Sequence, residues 1–177
     1  MRMYTGTKNV VSKGLAERFD FRLAERFGEV RLPLAEIVPQ SEERTFARIT
    51  DPRRATELIL PHSYLWHDFL VMNRTFYKIT AALCTMLATA GQVYGTPDNE
   101  SVVVLGARFM PEEAVHIGLF GGDGAACLRF AMQQTHKQAL GRLNCIYPLD
   151  ALQVQEQLVA AGFQVLDATL IVMETDL

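Results

Sequence analysis

The segment that most restricts the fold of this chain is residues 114–128, AVHIGLFGGDGAACL. An apolar run, Ala114 to Phe120, leads into Gly121-Gly122-Asp123-Gly124-Ala125-Ala126. Beyond it Leu128, Ala131, Met132, Thr135 and Ala139 recur at the i, i+3, i+4, i+7 spacing of one helix face. The pattern predicts a strand, a glycine turn and a helix, with Gly141 as the helix stop and Asp123 as its N-cap. A turn of this kind brings unpaired backbone amides and the positive end of the helix dipole to one point, and such a point binds phosphate readily.

The segments around this unit follow from the same rules. After the helix, residues 142–147 read as a strand, Pro148-Leu149-Asp150 as a break, residues 151–161 as a short helix ended by Gly162-Phe163, and residues 164–169 and 170–174 as two final strands forming a hairpin. Before it, Gly95-Thr96-Pro97-Asp98-Asn99 is a turn between strands at residues 92–94 and 101–105. Phe109-Met110-Pro111-Glu112-Glu113 is another turn. Residues 45–50 read as a short strand, followed by Asp51 as N-cap and Pro52 at the first helical position. From residue 53 to about residue 90 the spacing predicts two helices, broken at Pro61, with Tyr64, Trp66, Phe69, Phe76 and Tyr77 in the second. Leu65, Phe69 and Met72 would line its apolar face. The first forty residues carry the near-repeat LAERF at residues 15–19 and 23–27, then Val30, Leu32 and Leu34 alternate. That alternation predicts strands about a turn at Phe27-Gly28-Glu29, the first LAERF copy being open to a helical reading.

Composition narrows the functional classes. With 177 residues and 49% apolar content the chain supports a single core, so one domain is expected over residues 1–177. A formal charge of −3 supplies no basic field for nucleic acid or anionic lipid. The longest apolar-leaning stretch, residues 79–90, falls short of the roughly 20 residues of a membrane span. The N-terminus lacks the apolar run of a signal peptide, so a cytoplasmic location is expected. Cys84, Cys127 and Cys145, and the four histidines His62, His67, His116 and His136, form no metal-ligand spacing, and no metal is expected.

A glycine turn between strand and helix also fits a nucleotide-binding reading, with Gly122 and Gly124 in the loop and Asp150 reaching for a ribose hydroxyl. That architecture needs several further strand–helix units, and only 27 residues follow Asp150. The order of elements instead resembles the GNAT superfamily of N-acyltransferases. Its coenzyme loop, [RQ]-x-x-G-x-[GA] between a central strand and a helix, is matched at Gly124 and Ala126, and the Gly162-Phe163 that closes the later helix echoes the family. The resemblance covers residues 92–177 as the coenzyme-binding half and residues 45–90 more loosely, leaving residues 1–44 as an N-terminal extension. It implies a mixed α/β fold, a twisted and mostly antiparallel sheet flanked by helices, with one parallel pair beside the helix after Gly124.

The resemblance further implies acetyl-CoA as co-substrate, a primary amine as acceptor, and Leu119, Phe120, Gly121, Gly122, Gly124, Ala125 and Ala126 as the coenzyme-binding residues. Gly121 stands where the family's loop opens with Arg or Gln, and Leu158 stands where many members place a tyrosine that protonates the leaving thiolate. Catalysis of this class needs a base for the amine and an acid for the thiolate. Glu112, Glu113 and His116 are the candidates for the base and Tyr147 for the acid, while Tyr64, Trp66 and His67 are candidates for an acceptor pocket. Two readings follow: an acetyl-CoA-dependent N-acetyltransferase, or a module of the same fold that binds a ligand or partner without turnover. Edge strands near the N-terminus offer a surface for a homodimer.

Overall fold

A computed structural model describes residues 1–33, 35, 45–72, 75–107 and 113–176. In chain order the elements are β1 (Arg2–Gly6), α1 (Val10–Arg18), β2 (Arg22–Pro33), β3 (Ala47–Arg48), α2 (Pro52–Ile59), a 3-10 segment (Leu60–Trp66), β4 (Phe69–Met72), β5 (Thr75–Lys78), α3 (Ala81–Thr89), β6 (Val93–Gly95), β7 (Val102–Ala107), β8 (Ala114–Gly121), α4 (Gly124–Lys137), β9 (Arg142–Pro148), α5 (Leu152–Ala160) and β10 (Gln164–Glu174). Eight strands form one sheet in the order β1-β10-β2-β9-β8-β7-β6-β3, while β4 and β5 make a separate hairpin. Every neighbouring pair is antiparallel except β8 and β9, which flank α4. The fold is the mixed α/β, mostly antiparallel arrangement expected from the sequence.

Local signals set the ends of several helices as read. Asp51 accepts the amide of Arg54 at 2.7 Å and Pro52 opens α2. Asp123 accepts the amide of Ala126 at 3.0 Å and caps α4. These side chains satisfy amides that a helix's first turn leaves without partners. The hairpin around Thr96-Pro97-Asp98 also forms, pairing Val93 with Val104 and Gly95 with Val102.

Three local expectations fail. First, β2 runs unbroken through Phe27-Gly28-Glu29, and Gly28 is needed for space rather than for a turn. A Cβ there would meet Leu149 Cδ2 at 2.9 Å and the Tyr147 ring at 3.0 Å, because Tyr147 lies directly opposite it on β9. β2 is inserted between β9 and β10, and the N-terminal segment thereby completes the middle of the sheet. The edge is β1, paired on one side with β10. Second, residues 164–174 form one strand with a register shift between Val165 and Thr169, not a hairpin, since β2 and β1 pair along both of its sides.

The third failure is the first part of the second helix of the 53–90 region. Up to Lys78 its residues form the 3-10 segment and the β4–β5 hairpin, and only Ala81–Thr89 are helical, as α3. All four residues of β4 are buried, with Leu70 and Met72 in the main core and Phe69 and Val71 in a second cluster with Phe27, Ile146 and Val172. A strand buried on both faces is apolar at every position, and a short apolar run of that kind cannot be told from a buried helix by its period. The two copies of LAERF also part: Leu15 to Arg18 end α1, while the second copy lies in β2. The loop at residues 39–43, the turn at residues 109–112 and the candidate Glu112 lie outside the described residues.

Candidate functional site

The site is built where the parallel pair comes apart. β8 and β9 are in register from Ala114 opposite Arg142 to Ile117 opposite Cys145. Beyond that point β8 continues to Gly121 and β9 to Pro148 without pairing to each other. A parallel pair that stops sharing hydrogen bonds turns the facing amides and carbonyls of both strands toward whatever lies between them. Leu119 and Phe120 lie on one limb of this splay, Ile146 and Tyr147 on the other, and the glycine loop closes the end of the β8 limb.

Part of that space is taken by the chain itself. Trp66, 1% exposed, donates its indole N–H to the Phe120 carbonyl at 3.0 Å and meets the Phe120 ring edge-on, centroids 5.4 Å apart. His62, from the same 3-10 segment, lies against Gly121, where a Cβ would come within 2.1 Å of His62 Cγ. Burial pushes the His62 ring toward its neutral form, below the ordinary 6.5. The Arg or Gln side chain that opens the loop in the resembling family is thus replaced by a glycine whose side-chain space holds an imidazole.

The loop is held from several sides. Gly122 adopts φ +82°, and a Cβ on it would lie 2.0 Å from the Glu100 carbonyl oxygen, so its conformation and its surroundings both demand glycine. The Asp123 amide donates to Ser101 Oγ at 3.0 Å. Cys127 Sγ sits 3.4 Å from the Val102 carbonyl and 3.5 Å from that of Gly121, and burial pushes its thiol up to about 12. Gly124 is buried against α5, where its Cβ would meet Gln157 Oε1 at 2.3 Å. The Asp123 carboxylate is committed to the cap and so turned toward the helix's own amides, while Ala125 at the start of α4 is exposed.

The candidate catalytic residues are spread along the two strands. Tyr147 lies in the splay, fully buried, its ring over Gly28 and its hydroxyl without a hydrogen-bond partner. Desolvation raises its phenol above 10.0. His116 is also buried, one residue before the last paired position of β8, and its Nε2 lies 2.7 Å from the Val71 carbonyl. A carbonyl can only accept, so Nε2 carries a hydrogen, and the neutral tautomer of that arrangement is the one with its lone pair on Nδ1. Glu113 begins at the far end, paired with Arg142 at 2.8 Å, and seven residues of strand, about 23 Å at 3.3 Å each, separate it from Phe120.

Sequence reasoning grouped His67 with Tyr64 and Trp66 but missed what holds it. His67 has φ 52°, a left-handed conformation uncommon for a side chain of this size, and Asp68 follows at φ 59°. Its Nδ1 lies 2.6 Å from Glu25 Oε2 and its Nε2 3.0 Å from Asp150 Oδ1, tying the 3-10 segment to β2 and to the end of β9. A shallow cavity of about 460 Å³ opens beside it, lined by Leu23, Ala24, Glu25, Arg26, Leu149 and Asp150. No sequence signal could join residues 25, 67 and 150, since their proximity exists only after β2 enters the sheet. Tyr64, by contrast, is largely exposed. Among the described residues no group of His, Cys, Asp and Glu could hold a metal ion, and no helix is long and apolar enough to cross a membrane.

No family model and no curated protein matches the chain by sequence. Solved structures match it by shape. A GCN5-related N-acetyltransferase from Sphaerobacter thermophilus superposes with a TM-score of 0.65 at 11% identity, over 97% of this chain and 58% of that one. A GNAT-family acetyltransferase from Colwellia psychrerythraea gives 0.62 at 11% identity, over 96% of this chain and 63% of its own. A GCN5-related N-acetyltransferase from Anabaena variabilis gives 0.59 at 10% identity, over 97% and 45%. This chain therefore spans only 45% to 63% of the length of those three proteins. At such identities the agreement speaks for the architecture, and this chain has the fold of the GNAT superfamily of N-acetyltransferases.

Proposed function

We propose that the protein is an N-acyltransferase that moves an acetyl group from acetyl-CoA to a primary amine. The observation that carries this reading is the splay of β8 and β9 directly beside the glycine loop and the start of α4. In it Leu119, Phe120, Gly121, Gly122, Gly124, Ala125 and Ala126 would receive the coenzyme, with its pyrophosphate at the helix start and its thioester between the strands. The amine nitrogen attacks the thioester carbonyl carbon, the C–S bond breaks, and the thiolate takes a proton. Tyr147, whose buried hydroxyl has no other partner, supplies that proton. His116, beside the apex of the splay, is the better placed base, and Glu113 is kept at a distance by its pairing with Arg142.

A second reading has its own observation: Trp66 and His62 fill part of the space that a coenzyme would need. On that reading the protein keeps the fold as a ligand-binding or interaction module without turnover. A thermal-melt titration with acetyl-CoA, free coenzyme A and ATP separates the two, because a ligand that binds only the folded state raises the midpoint by mass action. Stabilisation by both CoA species and not by ATP, followed by acetylation of an amine, is the expected result. No shift at millimolar coenzyme would leave only the module.

A further inference from the structure

The face of the sheet beneath the β4–β5 hairpin carries polar side chains that the coenzyme reading does not use. Arg31 on β2, Asn144 on β9 and His116 on β8 are directly opposite one another in the register of three neighbouring strands, and so share one face. Asn144 is 1% exposed, and both its Oδ1 and its Nδ2 lack any hydrogen-bond partner. Arg31 Nε is likewise buried without an acceptor. A buried amide with neither end satisfied costs free energy that a folded chain rarely leaves uncompensated, and such an orphan calls for a functional account. Two residues along the same face of β9 the row continues to Arg142, whose Nε is also buried without an acceptor and whose Nη2 pairs with the partly exposed Glu113 at 2.8 Å.

We propose that Arg31 and Asn144 form the acceptor subsite of the transferase and bind a carboxylate carried by the acceptor amine. The inference rests on the transferase reading and names its substrate class. The unmatched donors, Arg31 Nε–H and the Asn144 amide N–H, require an acceptor with two oxygens, and a guanidinium favours an ionised one. Asn144 Oδ1 requires a donor, which the α-ammonium of a free lysine provides beside its carboxylate. His116 lies one strand from Asn144 and two from Arg31, so about 5–10 Å separates the carboxylate anchor from the base. An ω-amino acid or the side chain of a free lysine spans that distance. A carboxylate-free amine would leave Arg31 Nε and Asn144 unsatisfied and would bind far more weakly, since unpaired buried polar groups give the strongest discrimination a pocket can offer.

The test is binding to the whole chain without coenzyme, measured by calorimetry for 4-aminobutyrate against propylamine and L-lysine against cadaverine. Binding of the carboxylate member of each pair at least ten times tighter than its partner, lost in Arg31→Met and in Asn144→Leu, is the expected result. Asn144→Leu should also raise the melting temperature of the unliganded protein by about 2–4 °C, since it removes two buried orphans from a chain of this size. Equal binding of the paired amines, or a carboxylate preference that survives Arg31→Met, would overturn the subsite. If Asn144→Leu fails to fold, the half-buried Arg31 still decides the matter. Acetyl-CoA binding is read separately: its presence without any carboxylate preference removes only the subsite, and its absence removes the transferase reading first.

Discussion

Trp66 donates its indole N–H to the carbonyl of Phe120 at 3.0 Å, so a side chain from the 3-10 segment takes up a backbone acceptor that the parting of β8 from β9 leaves open. The same segment places His62 against Gly121 and fixes His67 between Glu25 and Asp150. A ligand entering the splay would therefore compete with a contact inside the chain.

Replacing that indole should separate the two consequences. Trp66→Phe keeps most of the packing but leaves the Phe120 carbonyl without its donor, and should cost about 1–3 kcal/mol in urea unfolding. Trp66→Ala should cost about 3–5 kcal/mol, yet increase the thermal shift produced by acetyl-CoA relative to the parent. An alanine variant that folds and shows a smaller shift than the parent would mean that Trp66 supports the coenzyme rather than excluding it.

Tyr147 offers a test in which stability and activity diverge. Its hydroxyl is buried without a partner, so Tyr147→Phe removes an orphan and should leave the melting temperature unchanged or raised. If the phenol protonates the thiolate, the same change lowers kcat by about 10²-fold or more while the KM for coenzyme holds. Activity equal to the parent would transfer the acid role to solvent.

Substitutions in the glycine loop should differ by what each new atom meets. Gly122→Ala meets a backbone oxygen and a φ of +82°, neither of which can give way, and should destabilise by more than about 2 kcal/mol. Gly124→Ala meets the far end of the Gln157 side chain, which can rotate, and should cost about 1 kcal/mol or less. Chemical denaturation of both variants checks the order, and Asp123→Ala, which loses the cap of α4, should fall near 1 kcal/mol.

Alkaline pH should weaken the fold. Burial raises Cys127 to about 12 and raises Cys145 and Tyr147 above their ordinary values of 9.0 and 10.0. In each case the folded state holds its proton where the unfolded chain has lost it. Their stabilising contribution is therefore complete below about pH 9 and is lost as the pH rises through the folded values. Urea midpoints at pH 7, 9 and 10.5 should fall in that order, and a thiol reagent at pH 8 should label neither Cys127 nor Cys145 before unfolding.

What could be read from the sequence alone was what neighbouring residues settle among themselves. Asp51-Pro52 and Asp123 cap their helices because a carboxylate two or three residues from free amides reaches them without help from the rest of the chain. The strand, glycine turn and helix at residues 114–137, and the hairpin at Thr96-Pro97-Asp98, follow from period and turn chemistry in the same way. The tertiary structure decided the rest. That Gly28 makes room for Tyr147 instead of a turn, that β2 enters between β9 and β10, and that Phe69–Met72 is a strand depend on partners more than 60 residues away or on burial from both sides. The splay itself, the indole that occupies it and the row of Arg31, Asn144 and His116 arise from strand order and register, which local propensity does not encode.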